Sequence, residues 1–122
     1  IESFIKLDEG NKMCILGEMR ELGRYSEKEH LKLIKKMKTS GIESIFVGKE
    51  YLNLITKSKE IWKYNNWNLD PQDIVELQEG KKNIYLETSD LIENISNYNL
   101  KNRTILIKGS RGLKLEELVK HL

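Results

Sequence analysis

Four short apolar runs, at residues 13 to 16, 44 to 47, 84 to 86 and 104 to 107, are each followed by a stretch with helical spacing. Ile, Val, Tyr and Leu fill these runs, as expected of buried strands bounded by turn residues. Strand and helix alternating this often leads to parallel strands, right-handed crossovers and helices on both sides. The expected fold is therefore α/β, a mostly parallel sheet with helices on both faces. At 122 residues the chain amounts to a single domain spanning 1 to 122.

The clearest helix is expected to begin at Ser26, whose hydroxyl would cap the first free amides while Glu29 reaches back to the cap's own amide. Leu31, Ile34 and Met37 form its apolar stripe, with acids early and bases late, as the helix dipole favours. Gly41 supplies the left-handed residue that ends it. Shorter helices are expected over 49 to 57, 89 to 98 and 115 to 122, the last burying Leu115, Leu118, Val119 and Leu122, and a further one over 1 to 9. Residues 60 to 82 break the rhythm. They hold Trp62, Trp67 and the sole proline, Pro71, and read as an insertion whose aromatics pack it onto the domain or mark a partner surface.

Charge excludes more than it suggests. With 21 basic and 19 acidic residues the net charge is +2, too balanced to imply nucleic acid or membrane as partner. Cys14 is the single cysteine, so neither a disulfide nor a cysteine-based metal site is expected, and a cytoplasmic location fits. No run of apolar residues is long enough to span a bilayer. A chain that starts at Ile1 reads as a fragment of a longer one, or as a trimmed product.

Chemistry is expected at two glycine segments. Leu16-Gly17-Glu18-Met19-Arg20-Glu21-Leu22-Gly23 follows the first strand, and Lys108-Gly109-Ser110-Arg111-Gly112 follows the last. In open α/β sheets the loops at the carboxyl ends of parallel strands converge in a crevice. Around Gly109 and Gly112 the backbone can curl its amides inward, and a following helix would add its positive end, making a seat for a phosphate or carboxylate. Lys108, Ser110 and above all Arg111 would supply side-chain contacts to such an anion, although a plain solvated turn reads equally well from these residues alone. In the first segment Glu18 and Glu21 could orient an ammonium group or hold partner loops, or Glu21 could pair with Arg20 or Arg24 instead. His30 could point back at this loop. With neither a cysteine nor a suitably spaced second histidine beside it, a structural role is the plainer reading. Gly48-Lys49 and Gly80-Lys81 lack the rest of a Walker phosphate loop, and no hydrolase elbow or zinc-ligand pattern occurs. No residue of the chain is singled out as catalytic.

Two segments carry a family resemblance. Ile15-Leu16-Gly17-Glu18-Met19-Arg20-Glu21-Leu22-Gly23, with Ser26 and His30, resembles the L-G-[DE]-M-x-E-L-G-x-x-S-x-x-x-H signature in the C-terminal domain of MurF-type Mur ligases. Ile107-Lys108-Gly109-Ser110-Arg111-Gly112-Leu113-Lys114-Leu115-Glu116 resembles that family's V-K-G-S-R-x-x-x-M-E segment. The family's D-x-Y-N-A-N-P motif, which would precede the helix at 1 to 9, is absent.

The resemblance implies a Rossmann-like C-terminal lid, without the N-terminal and central domains, from an ATP-dependent peptide ligase of peptidoglycan synthesis. Such enzymes join D-alanyl-D-alanine to UDP-N-acetylmuramoyl-tripeptide through an acyl phosphate. ATP and magnesium would be bound mainly by the central domain, this chain's own docking partner, and the lid alone would be inactive. On the same footing Lys108, Gly109, Ser110 and Arg111 would face substrate or phosphate, while Gly17, Glu18, Glu21, Gly23 and His30 would shape the neighbouring loop. The rival reading is a stand-alone anion-binding or protein-interaction module.

Overall fold

The computed structural model describes residues 1–7, 10–20, 22–54 and 83–122. The notable excursion at 60 to 82, with Trp62, Trp67 and Pro71, lies outside the described residues, as does Glu21.

All four expected strands form. They are β1 (Lys12–Gly17), β2 (Glu43–Val47), β3 (Ile84–Tyr85) and β4 (Thr104–Lys108), in the order β3-β2-β1-β4. Every pairing is parallel, with Leu16 opposite both Phe46 and Lys108, and Val47 opposite Tyr85. The carboxyl ends of the strands therefore form one edge. β1 is buried from Met13 to Gly17, as a strand covered on both faces must be. Its side chains alternate between two cores. Cys14 and Leu16 join Phe46, Leu31, Met37, Tyr51 and Leu54 on one face. Met13 and Ile15 join Ile45, Val47, Leu91, Leu115 and Leu118 on the other.

On the first face lie three helices: α1 (Glu2–Lys6), α2 (Ser26–Ser40) and α3, which begins at 49 and is described through 54. Phe4 and Ile5 of the first, with Ile1 just before it, pack against the core. Lys12 ends α1 by donating to the carbonyls of Phe4, Ile5 and Leu7 at 2.8 to 3.1 Å. Gly41 terminates α2 at φ 73°, as its position in the sequence requires.

The start of α2 differs from expectation. A 3-10 turn at Gly23–Tyr25 runs straight into the helix, so Ser26 is already helical (φ −55°, ψ −52°) and caps nothing. Capping needs an extended backbone, which Ser26 no longer has. A reciprocal capping box appears instead at Glu87 and Asp90, ahead of α4 (Thr88–Asn94). The helix expected over 89 to 98 divides into α4 and a 3-10 turn at Ile95–Asn97.

The C-terminal segment is also corrected. Leu115–His121 is 3-10 rather than α-helical. With three residues per turn Leu115 and Leu118 fall in line and are buried, whereas Val119 and Leu122 are left 63% and 43% exposed. Among the described residues no helix is long and apolar enough to cross a membrane.

Candidate functional site

The two glycine segments meet. Gly17 and Gly109 each follow the registered pair Leu16 and Lys108 by one position, which brings their backbones into contact above the ends of β1 and β4. A Cβ on Gly109 would stand 2.9 Å from the Cα of Gly17, and one on Gly17 would stand 3.1 Å from the Cα of Gly109. Only residues without a Cβ allow so close an approach.

The loop after β1 is fastened at successive groups. Tyr51 donates its hydroxyl to the Gly17 carbonyl at 3.3 Å. The Glu18 amide donates to the Val47 carbonyl at 2.8 Å, and its carboxylate accepts the Glu50 amide at the start of α3. The Glu18 side chain packs against Gly48, whose φ of 133° suits glycine and whose Cβ, if present, would stand 2.7 Å from it. Glu18 is therefore a nearly buried anchor rather than a carboxylate presented to a ligand.

His30 completes the clamp. Its Nε2 accepts the Met19 amide at 2.9 Å, so the proton sits on Nδ1, which donates to the Ser26 carbonyl at 2.6 Å. The ring is fully buried and lies edge-on to Tyr51, with centroids 4.8 Å apart. The expectation that His30 points back at the loop thus holds, with the ring's nitrogens occupied by backbone groups. Burial, aided by the nearby charge of Glu18, pushes the Tyr51 phenol well above its ordinary range. Burial likewise raises the Cys14 thiol.

A cleft of 510 Å³ opens above the two loops, lined in part by Gly17, Arg20, Lys108, Gly109 and Ser110. Lys32 and Lys36 border it from α2, the first paired with Glu29 at 3.4 Å and the second with Glu2. Ser110 Oγ is shielded from solvent and has no hydrogen-bond partner. A hidden hydroxyl left unpaired at a cleft is a natural contact for a ligand's polar atom. Arg111 is exposed and is not among the residues lining this cleft. No α-helix follows the loop, since residues Arg111–Leu113 and Leu115–His121 are 3-10 turns. The expected contribution of a helix end to an anion seat is therefore missing, and of the expected side chains Lys108 and Ser110 line the cleft. Gly23, at φ 54°, lies away from the contact and starts the 3-10 turn into α2.

Three contacts had no clear signal in the sequence. Tyr51 falls within the helix expected over 49 to 57 with nothing to single it out, yet it holds the Gly17 carbonyl. Thr88 donates its hydroxyl to the Leu113 carbonyl, tying α4 to the last loop. Arg20 lays its guanidinium against Gly112, where a Cβ would stand 2.6 Å from Cζ.

Parallel strands whose glycine loops touch at their carboxyl ends, beside a cleft, define a Rossmann-like α/β protein, a class whose ligand sites lie at that edge. No family model matches the chain, and no solved structure does so significantly. Two relatives do. The chain is 30% identical over 109 residues, 89% of its length, to the UDP-N-acetylmuramoyl-tripeptide--D-alanyl-D-alanine ligase of Rickettsia prowazekii. It is 28% identical over 113 residues, 93% of its length, to the ligase of the same name from Bacillus subtilis. The chain is thus related to the MurF-type ligases over most of its length, and it spans about a fifth of the relatives, 20% and 22%.

Proposed function

We propose that this chain is the C-terminal, lid-forming domain of an ATP-dependent ligase that joins D-alanyl-D-alanine to UDP-N-acetylmuramoyl-tripeptide in cytoplasmic peptidoglycan synthesis. The observation that carries the reading is the contact of Gly17 with Gly109 beside a cleft lined by Lys108 and Ser110. These are residues of the two segments that resemble the family. Peptide-bond formation through an acyl phosphate depends on holding charged reactants together and excluding water, which closure of a lid accomplishes.

In this reading Lys108 brings a compact positive charge to a phosphate or carboxylate oxygen, and Ser110 Oγ finds its missing partner there. Gly17, Glu18 and His30 hold the facing loop rigid. Arg111, exposed beside the cleft, would reach substrate only from the surface that meets another domain. On the family resemblance, ATP and magnesium would be bound mainly by the central domain, and the chain alone would not turn over.

The test is ATP- and dipeptide-dependent phosphate release by the full-length protein, comparing wild type with Lys108→Ala and Arg111→Ala. A fall of about a hundredfold in kcat/KM for Lys108→Ala, or ~2.7 kcal/mol of transition-state stabilisation, is expected. Absence of ligase activity in the wild type overturns the assignment. Activity unchanged in both variants returns Lys108 to Gly112 to a structural turn.

A further inference from the structure

The last loop has no stiff element of its own behind it. Arg111–Leu113 is a single 3-10 turn, Lys114 is left-handed (φ 54°, ψ 43°), and Leu115–His121 is again 3-10. Such turns hydrogen-bond less well than an α-helix, and a non-glycine residue stays in the left-handed region only when its surroundings hold it there. Ser110 immediately precedes the first of these turns and carries the hidden, unpartnered hydroxyl at the cleft over the two glycine loops. Whatever fixes Ser110 must therefore come from another element.

Thr88 is that fixture. It is 5% exposed and lies at the start of α4, where a hydroxyl commonly caps free helix amides. Here Glu87 and Asp90 cap the helix reciprocally, which leaves the Thr88 hydroxyl to donate to the Leu113 carbonyl, 25 residues on. Among the described residues no other side chain hydrogen-bonds to residues 109 to 114. The Leu113 amide donates in turn to the Ser110 carbonyl at 3.2 Å. A hydrogen-bonded chain thus runs from α4 through Leu113 to Ser110. Leu113 also presses on the facing loop, since a Cβ on Gly17 would stand 2.6 Å from Leu113 Cδ1 and 2.9 Å from Leu115 Cδ1.

We infer that Thr88 is a positioning residue of the ligase reaction, which holds Ser110 Oγ in place at the cleft through Leu113. The inference rests on the ligase reading for the reaction that Ser110 serves. Without the Thr88 donor the Leu113 carbonyl loses its partner and the left-handed turn at Lys114 can relax. Leu113 then shifts on Gly17, and Ser110, bonded to the Leu113 amide, moves with it. A displacement of about 1 Å is enough to slow a positioned reaction by on the order of a hundredfold.

The test is a double-mutant cycle between Thr88 and Ser110 in the full-length protein, with D-alanyl-D-alanine as the varied substrate. Thr88→Val keeps the branched shape and removes the donor, whereas Thr88→Ser keeps the donor. In Thr88→Val kcat/KM should fall about tenfold with KM for ATP unchanged, and Thr88→Ser should recover most of the loss. Thr88→Val added to Ser110→Ala should cost less than about twofold more, because residues that act through one another are not additive. Equal losses with and without the Ser110 hydroxyl overturn the inference and leave the ligase reading standing, as does unchanged activity in Thr88→Val. If Thr88→Val does not fold, Thr88→Cys, a far weaker donor, takes its place in the cycle. A wild type without ligase activity defeats the ligase reading, and amide hydrogen exchange then decides. Exchange of the Leu113 amide about tenfold faster in Thr88→Val than in wild type, with Thr88→Ser near wild type, supports the hold of Thr88 on Ser110. Equal exchange rates overturn it.

Discussion

Replacing Gly109 by alanine tests the contact on which the site is built. The new Cβ would stand 2.9 Å from the Gly17 Cα, 3.1 Å from the Gly17 nitrogen and 2.6 Å from Leu115 Cδ1. Carbon atoms in contact normally stand about 3.5 to 4.0 Å apart, so the backbone approach is too close by roughly 0.6 to 1 Å. Leu115 can turn its methyl aside, but Gly17 cannot retreat freely. It follows Leu16, which pairs with Lys108 at the end of the ladder. Relief requires the ends of β1 and β4 to part, at the cost of about one ladder hydrogen bond, ~1 kcal/mol, and a similar amount of packing. The expected destabilisation is about 2 kcal/mol, or a Tm lower by roughly 6 to 10 °C for a chain of this size. Urea denaturation followed by far-UV circular dichroism measures it. Gly10→Ala is the comparator, because nothing lies within 4 Å of its Cβ and its φ is not left-handed. That variant should fall within about 0.5 kcal/mol of wild type. Equal stability of Gly109→Ala and Gly10→Ala would refute the reasoning.

Two further outcomes follow from the buried clamp. His30→Ala leaves the Met19 amide without its acceptor and opens a cavity beside Tyr51, and should cost about 2 to 4 kcal/mol in the same denaturation experiment, whereas His30→Gln, which keeps an acceptor, should lose less. Tyr51 is raised above its ordinary value of 10.0. Above that pH the unfolded phenol gives up its proton while the folded one keeps it, so unfolding releases protons and stability falls as pH rises. The contribution is complete below about pH 10 and is lost as pH climbs toward the folded value. Urea titrations between pH 9 and 11 should therefore show declining stability, with a shallower decline in Tyr51→Phe; equal slopes would exclude Tyr51 as the source.

Much of the fold was legible in the sequence because its signals are local. The apolar runs of β1, β2, β3 and β4 stand out by composition, and their alternation with helical spacing leads to parallel pairing. Gly41 ends α2 for a reason contained in one residue, its tolerance of a positive φ. Leu31 and Met37 are buried as their spacing along α2 required. Where neighbouring segments competed, local rules were insufficient. Ser26 had the right chemistry for a cap, but the preceding 3-10 turn had already made its backbone helical. Val119 and Leu122 had the spacing of an α-helical face, and a tighter turn carried them into solvent.

The glycine segments marked where loops would gather at the carboxyl ends of the strands, and the sequence also determined that Lys108 and Ser110 would stand at the end of a strand. Only the tertiary structure decided what those segments do. The contact of Gly17 with Gly109 joins residues far apart along the chain, and it exists because β1 and β4 pair in one register. The same assembly sinks Glu18 against Gly48, hides Ser110 Oγ without a partner and brings the Thr88 hydroxyl to the Leu113 carbonyl. Periodicity and turn chemistry are properties of a few consecutive residues, so sequence could specify the elements. Burial, close approach and the partners of a charge depend on which elements become neighbours, and that is fixed only when the sheet assembles.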